Sequence, residues 1–396
     1  MRLLAGLFIG PSIATFCSAA EPLNAKIKIE PAIYSGTSVT LDGTGSTGGE
    51  GVTYQWKVIN KESDPPEVKD ADKLTATFIP AAWGRHEISL TVTRGSEKAE
   101  AKSTLKALNH PDRDQSPVFE GSKKVLYKTA PDSLGGNAKL YLHVFDPEGW
   151  KATDRRGVVL IFHGGGWARG KPATYMSDAK YWASRGLVGI TGQYRLGDRE
   201  GTSPAECVAD AKSAVRYLRS HAAELGIDPG KIVIAGVSAG AHIAACTGTI
   251  PGHNDPQDDL SVSCVPDAML LYYPFQMSNR NNDLAPLSFV NPATPPTLFA
   301  AGEIDRIAPA DRGILWGEKM KDGRNEFRLF IYRKTHHPSG GKHDIDEPGA
   351  DNDIIRQSDL FLTKLGYLTG EPTITPMTPE AIEAIHMDPK DFKPEK

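Results

Sequence analysis

Apolar and polar residues alternate along the N-terminal part of the chain, from about residue 23 to residue 108. Apolar side chains recur at every second position in short runs, and clusters of Gly, Ser, Asp and Pro separate these runs. The clearest runs are Ile27/Ile29, Val39/Leu41, Tyr54/Trp56/Val58 and Ile88/Leu90/Val92. A period of two is typical of strands with one buried face, so we predict a small all-β sandwich here.

The pattern changes after a polar, Pro-containing stretch at residues 109–122, which is typical of a linker. Beyond it, the apolar runs are short and nearly continuous instead of alternating. They lie at residues 158–162, 232–236, 268–273, 297–301 and 327–332. Continuous runs are typical of strands that are buried on both faces, as in a parallel sheet.

Helical patterns alternate with these strands. The clearest is "SPAECVADAKSAVRYLRSHAAELG", where Ser203 is a capping residue, Pro204 takes the first helical position and Glu206 completes a capping box. A second amphipathic stretch, "NDIIRQSDLFLTKLG", ends at Gly366. Strands that alternate with helices predict an α/β domain with a mostly parallel sheet and helices on both faces.

Composition excludes some classes of function. The 396 residues are 39% hydrophobic and 24% charged, as in ordinary globular proteins, and this length favours two domains. The net charge of −4 argues against a nucleic-acid-binding protein, because such proteins neutralise phosphates with positive charge. Beyond the N-terminal segment, Cys207, Cys246 and Cys264 allow at most one internal disulfide and predict no thiolate metal site.

The first residues, "MRLLAGLFIGPSIATFCSAA", contain one Arg, an apolar run and small residues before Glu21. This is the pattern of a signal peptide, and Pro11 interrupts it too early for a membrane span. We therefore expect a secreted or periplasmic protein with no membrane association beyond the signal peptide. The predicted segments are a signal peptide at 1–20, the β-sandwich at 21–108, the linker at 109–122, the α/β domain at 123–368 and a C-terminal extension at 369–396.

Two glycine-rich motifs carry candidate chemistry. The strand "KIVIAG" runs directly into "GVSAGAH", which places Ser238 between Gly236 and Gly240 in the pattern of a nucleophile elbow. An earlier strand ends in "HGGGW" at residues 163–167, whose glycines let backbone N–H groups approach a substrate oxygen. A phosphate-binding loop is the alternative, but the motif has neither a following Lys-Ser/Thr pair nor Rossmann spacing.

Together these motifs resemble those of α/β-hydrolases in the HGGG group, which contains hormone-sensitive-lipase-like enzymes and bacterial acetyl and feruloyl esterases. The resemblance extends over residues 123–368 and includes "GQYRLG" and "GIDPGKI". It implies that Ser238 is the nucleophile and that the N–H groups of Gly165, Gly166 and Ala239 form the oxyanion hole.

The resemblance has two further consequences. It implies that His163 holds the glycine loop and does not transfer protons. Val237 stands where many lipase-like members have an Asp, which favours the carbohydrate-esterase side of the group. In the N-terminal part, "SVTLDGTGSTGGEGVTYQWKV" is similar to PKD-type immunoglobulin-like modules, which implies contact with a carbohydrate or a protein.

The acid of a triad is expected after the strand "TLFAAG". Asp305 matches the position of the acid in the family, where a carboxylate orients the histidine. Glu303 is the alternative acid, and a plain helix cap is the alternative without chemistry.

The base is expected in "RKTHHPSGGKHD", which holds His336, His337 and His343. A metal site is disfavoured, because adjacent side chains such as those of His336 and His337 point in opposite directions in an extended chain. The distance from the strand end at Tyr332 favours His337. His343 is the alternative base, since its neighbours resemble the histidine loop of the family, and His336 is the third choice.

These residues predict a secreted serine carboxylesterase that hydrolyses short-chain acyl esters through a Ser-His-Asp triad without a cofactor or metal. The expected substrates are small esters or acylated polysaccharides, with acetyl or feruloyl groups on plant or algal polysaccharide. Three alternatives remain: a lipase, a peptidase on the same fold, and an inert hydrolase-fold protein that functions in binding or adhesion.

Overall fold

The chain divides into two compact units between Ala107 and Leu108. None of the described helices is long and apolar enough to cross a membrane. The predicted signal peptide at 1–20 lies outside the described residues. The computed structural model describes residues 21–60, 65–110, 117–275, 282–338 and 349–394.

The N-terminal unit consists of two small β-sheets. In its described residues, one sheet has the strand order β1-β7-β6-β3 and the other has the order β2-β5-β4. Leu41, Trp56 and Leu90 lie in the buried core of this unit, and each belongs to one of the alternating runs. The strands are β1 (Ala32–Tyr34), β2 (Val39–Asp42), β3 (Thr53–Asn60), β4 (Val68–Lys69), β5 (Thr75–Phe78), β6 (Gly84–Arg94) and β7 (Glu97–Leu108).

The C-terminal unit is built around one large sheet. Its described strands have the order β16-β15-β14-β13-β12-β10-β11-β9-β8. The strands from β15 to β11 in this order pair in parallel, and the remaining pairs at both edges are antiparallel. The strands are β8 (Lys123–Pro131), β9 (Asn137–Phe145), β10 (Arg156–Phe162), β11 (Val188–Gly192), β12 (Ile227–Val237), β13 (Ala268–Tyr272), β14 (Thr297–Gly302), β15 (Phe327–Tyr332) and β16 (His386–Met387).

Helices cover both faces of this sheet, which confirms the predicted α/β architecture. Alternate residues of β10 contribute to two separate cores: Leu160 belongs to the core that includes residues of α2, α3 and α5, and Ile161 belongs to the core that includes residues of α1 and α6. Burial on both faces explains the continuous apolar runs. The helices are α1 (Met176–Ser184), α2 (Pro204–Ser220), α3 (Ala239–Thr249), α4 (Pro286–Phe289), α5 (Asp311–Met320), α6 (Ala350–Lys364) and α7 (Pro379–Ile385).

Helix α2 begins as the sequence predicts. The Ser203 side chain accepts a hydrogen bond from the N–H of Ala205, and the Glu206 carboxylate accepts one from the N–H of Ser203 at 2.8 Å. Pro204 takes the first helical position, where no N–H donor is required.

The segment 369–396 differs from its prediction as an extension outside the α/β domain. It carries α7 and β16, and β16 pairs antiparallel with β15 through Ile331↔Met387 and Tyr332↔His386. Met387 is buried in one of the two cores. A strand of two residues is too short to give a periodic signal in the sequence, which explains why the segment resembled a surface extension.

Candidate active site

Ser238 occupies a sharp turn between β12 and α3. Its backbone has φ 55° and ψ −118°, a conformation that non-glycine residues rarely adopt. A Cβ atom at Gly240 would lie 2.2 Å from the Phe162 carbonyl oxygen, and one at Gly236 would lie 2.4 Å from the backbone of Gly240. Both positions therefore require glycine, because the sharp bend at Ser238 brings the first turn of α3 close to the end of β10.

His337 lies between Ser238 and Asp305. Its Nε2 is 2.7 Å from Ser238 Oγ, and its Nδ1 is 2.7 Å from Asp305 Oδ2. Asp305 Oδ1 accepts hydrogen bonds of 2.8 Å from the backbone N–H groups of Ile307 and Ala308. Because an ionised carboxylate only accepts, the imidazole proton sits on Nδ1, and Nε2 is left to accept the Ser238 hydroxyl proton.

The structure brings Ser238, Asp305 and His337 together and places the alternatives elsewhere. Glu303 accepts the backbone N–H of Lys334 through its carboxylate at 2.7 Å, so it braces the loop after β15. The His336 side chain is exposed. His343, the alternative base, lies outside the described residues.

The glycine loop after β10 faces the serine. Gly165 has φ +118°, and a Cβ atom there would lie 2.2 Å from the carbonyl oxygen of Arg169. Gly166 also has positive φ, at +61°. Within the described ranges, no hydrogen bond uses the N–H groups of Gly165, Gly166 or Ala239. These three donors therefore remain available to a ligand oxygen beside Ser238.

His163 supports this loop from behind. Its Nδ1 lies 2.8 Å from the Gly164 carbonyl oxygen, and its own carbonyl accepts a 2.8 Å hydrogen bond from the Tyr194 hydroxyl. The Tyr194 ring stacks on the imidazole with a centroid distance of 4.6 Å. Burial lowers the pKa of His163 to about 4, so the ring is neutral near pH 7. A neutral, enclosed ring can fasten the loop but is poorly suited to proton transfer.

A cleft of about 430 Å³ opens above these groups. None of its lining residues in the described ranges is Asp, Glu, Lys or Arg, so its walls suit an uncharged ligand. Ile307 beside the acid and Pro338 beside the base form an apolar rim, and the Ile307 side chain is 56% exposed. Sequence reasoning missed Thr174 and Tyr175 in this lining, because the 3₁₀ helix that carries them, Pro172–Tyr175, has no recognisable motif.

The C-terminal unit is similar to known proteins. A family model described as BD-FAE matches residues 142–267. Among solved structures, the chain is similar to Thermogutta terrifontis esterase 2 phosphoramylated by tabun, with 33% sequence identity and a TM-score of 0.60. The match covers 65% of this chain and 100% of that one. The same esterase is known phosphorylated by paraoxon and with propionate or butyrate bound.

Curated relatives match over shorter segments. Carboxylesterase NlhH of Mycobacterium tuberculosis is 39% identical over 94 residues, which are 23% of this chain and 28% of that protein. Endo-1,4-beta-xylanase B of Butyrivibrio fibrisolvens is 24% identical over 209 residues, which are 46% of this chain and 32% of that protein. The matched segments therefore span about a fifth to a third of the length of the curated relatives.

Proposed function

The chain belongs to the α/β-hydrolase esterases, which are serine hydrolases of carboxylic esters, and we propose that it is an exported enzyme that releases short acyl groups from polysaccharide. The observation that carries this proposal is the hydrogen bond of 2.7 Å between Ser238 Oγ and His337 Nε2 at the floor of an uncharged cleft. A serine paired in this way can attack an ester carbonyl at neutral pH.

The proposed reaction has two chemical steps. His337 takes the proton of Ser238 as Oγ attacks the carbonyl carbon, while Asp305 stabilises the resulting imidazolium. The oxyanion is bound by the backbone N–H groups of Gly165, Gly166 and Ala239, and the loss of one such donor typically costs about 3 kcal/mol of transition-state stabilisation. The alcohol leaves with the proton from His337, and water then hydrolyses the acyl-enzyme by the same route.

Displacing one oxyanion donor tests this mechanism. In Gly165→Ala, the new methyl group would collide with the Arg169 carbonyl oxygen and distort the loop. We expect kcat to fall by about 100-fold or more. Gly370→Ala is the control, because Gly370 also has positive φ, at +74°, but has open space around it. Its kcat on an aryl acetate should stay near the parent value, and equal losses in both variants would contradict the assigned role of the loop.

The size of the cleft and one relative support our proposal that the acyl group is short. The cleft volume of about 430 Å³ lies in the lower part of the range for small-molecule sites, and most of its lining surface is apolar. Thermogutta terrifontis esterase 2 binds propionate and butyrate. We propose that an acetyl group, or a feruloyl group as the larger possibility, occupies this cleft.

Other features support our proposal that the substrate is a polysaccharide. The N-terminal segment 1–20 has the pattern of a signal peptide, and the all-β unit is similar in sequence to PKD-type modules. The match to an endo-1,4-beta-xylanase adds a relative whose name refers to a plant polysaccharide. We therefore propose a secreted or periplasmic location and a PKD-type immunoglobulin-like module that contacts carbohydrate or protein.

A panel of substrates tests the proposal. The purified protein is assayed side by side on aryl esters of increasing chain length, acetylated xylan and methyl ferulate. We expect the highest kcat/KM among the aryl esters at two to four acyl carbons, and release of acetate or ferulate from one of the two plant-type substrates. Activity on aryl acetate alone would overturn the polysaccharide substrate and leave the esterase intact, whereas a preference for long acyl chains would favour a lipase.

A further inference from the structure

We propose that Tyr332, Asp353 and His386 form a clasp at the base of the loop that carries His337, and that this clasp positions His337 for catalysis. The inference rests on the proposed function, because it assigns positioning residues to the same reaction. None of the three residues lines the cleft or contacts Ser238 within the described ranges.

Asp353 is the centre of the clasp. Its Oδ2 accepts a 2.9 Å hydrogen bond from the Tyr332 hydroxyl and lies 2.7 Å from His386 Nε2, while its Oδ1 accepts a 3.1 Å hydrogen bond from Gln357. Burial would raise the pKa of Asp353, but hydrogen bonds from His386, Gln357 and Tyr332 outweigh burial and lower it. The carboxylate is therefore ionised and holds its three donors firmly.

The position of the clasp along the chain allows it to fix the backbone that leads to His337. Tyr332 is the last residue of β15, and Asp353 lies in the first turn of α6. His337 lies in the intervening segment, residues 333–352. The hydrogen bond between Tyr332 and Asp353 therefore ties the end of β15, five residues before His337, to the first turn of α6, and it fixes the point from which the chain leads to His337.

The last residue of α7 and the first residue of β16 hold Arg333 from one side. The N–H of Arg333 donates to the Ile385 carbonyl at 2.7 Å, and the Arg333 guanidinium donates to the His386 carbonyl at 2.8 Å. On the other side, the N–H of Ile304 donates to the Thr335 carbonyl at 3.2 Å. The backbone between Tyr332 and His337 is thus fixed both to the C-terminal strand and to the loop of the acid.

Positioning matters here because the base makes two short hydrogen bonds at once. A displacement of His337 by about 1 Å would break its alignment with Ser238 or Asp305, and displacements of this size cost about 100-fold in rate. The clasp residues do not line the cleft, so loss of the clasp should leave substrate binding nearly unchanged. A positioning role therefore predicts an effect on kcat with little effect on KM.

Substitution of His386 tests the clasp. In His386→Ala, Asp353 loses its contact with the C-terminal strand, and we expect kcat on an aryl acetate to fall by about 10- to 100-fold with KM within about twofold. In His386→Gln, the side-chain amide can donate near the position of Nε2 and should restore kcat to within about threefold of the parent. Asp353→Asn removes the charge of the acceptor and should resemble His386→Ala.

A second buried carboxylate on α6, that of Asp359, provides a control that distinguishes a loss of His337 positioning from a loss of stability. Asp359 accepts hydrogen bonds from the Tyr181 hydroxyl and Arg185, both at 2.6 Å, and among the described residues it makes no hydrogen bond to β15. Asp359→Asn should lower the thermal unfolding midpoint and leave kcat of the folded protein near the parent value. If Asp353→Asn and His386→Ala lower only the midpoint, or if Asp359→Asn lowers kcat equally, the clasp has no positioning role.

The same measurements separate this inference from the proposed function. An active parent whose kcat does not respond to His386→Ala would overturn the clasp alone. A folded parent that hydrolyses none of the esters would overturn the proposed function and the clasp with it.

Discussion

Ser238→Ala should abolish ester hydrolysis, with a loss of kcat of about 10⁴-fold or more. The serine is expected to form the covalent acyl-enzyme, and alanine supplies no nucleophile in its place. Alanine also fits the turn, because it adds no atom beyond the Cβ that Ser238 already has. The variant should therefore fold, and a fluorophosphonate probe that labels the parent should leave it unlabelled.

Another buried serine provides the control for this variant. The Ser358 hydroxyl lies 2.8 Å from the Tyr272 hydroxyl inside the core, so Ser358→Ala should lose some stability and keep both labelling and kcat. Labelling that persists in Ser238→Ala would place the nucleophile elsewhere. A folded parent that takes no label would favour the alternative of an inert hydrolase-fold protein.

Many strands, helices and turns of the α/β unit could be predicted from the sequence, because the interactions that determine them are recorded within short segments of the chain. The run from Val158 to Phe162 is continuously apolar because each of its residues is at most 1% exposed, between helices on both faces of the sheet. The start of α2 could be predicted because Ser203 and Glu206 satisfy the first N–H groups of the helix themselves. The Gly-x-Ser-x-Gly turn is equally local, since Gly236 and Gly240 contact each other.

The sequence favoured His337 as the base but left His343 and His336 open as alternatives, because the position of the base depends on packing between distant segments. A Cβ atom at Gly302 would lie 2.3 Å from the Thr335 carbonyl oxygen, so the loop after β15 lies directly on the loop after β14. This contact brings His337 to Asp305 and leaves His336 exposed. No periodicity in the sequence records such a contact.

His337→Ala should lower kcat by about 10⁴-fold or more, because the serine would lose the group that takes its proton. Its Nε2 and Nδ1 make the only hydrogen bonds that link Ser238 to Asp305 among the described residues. The variant should keep its fold, since the His337 side chain lies at the floor of an open cleft. The measurement is kcat on an aryl acetate together with the rate of fluorophosphonate labelling, and both should fall.

His343→Ala and His336→Ala are the matched controls, because all three histidines lie within eight positions of one segment. If His337 is the base, each control should retain kcat within a few-fold of the parent value. An inactive His343→Ala beside an active His337→Ala would reverse the assignment. In that case the 2.7 Å contact between His337 and Ser238 would have to be broken during turnover, so that a second imidazole could approach the same hydroxyl. A single base that is already hydrogen-bonded to both the nucleophile and the acid requires no such rearrangement, which is why we expect the loss in His337→Ala alone.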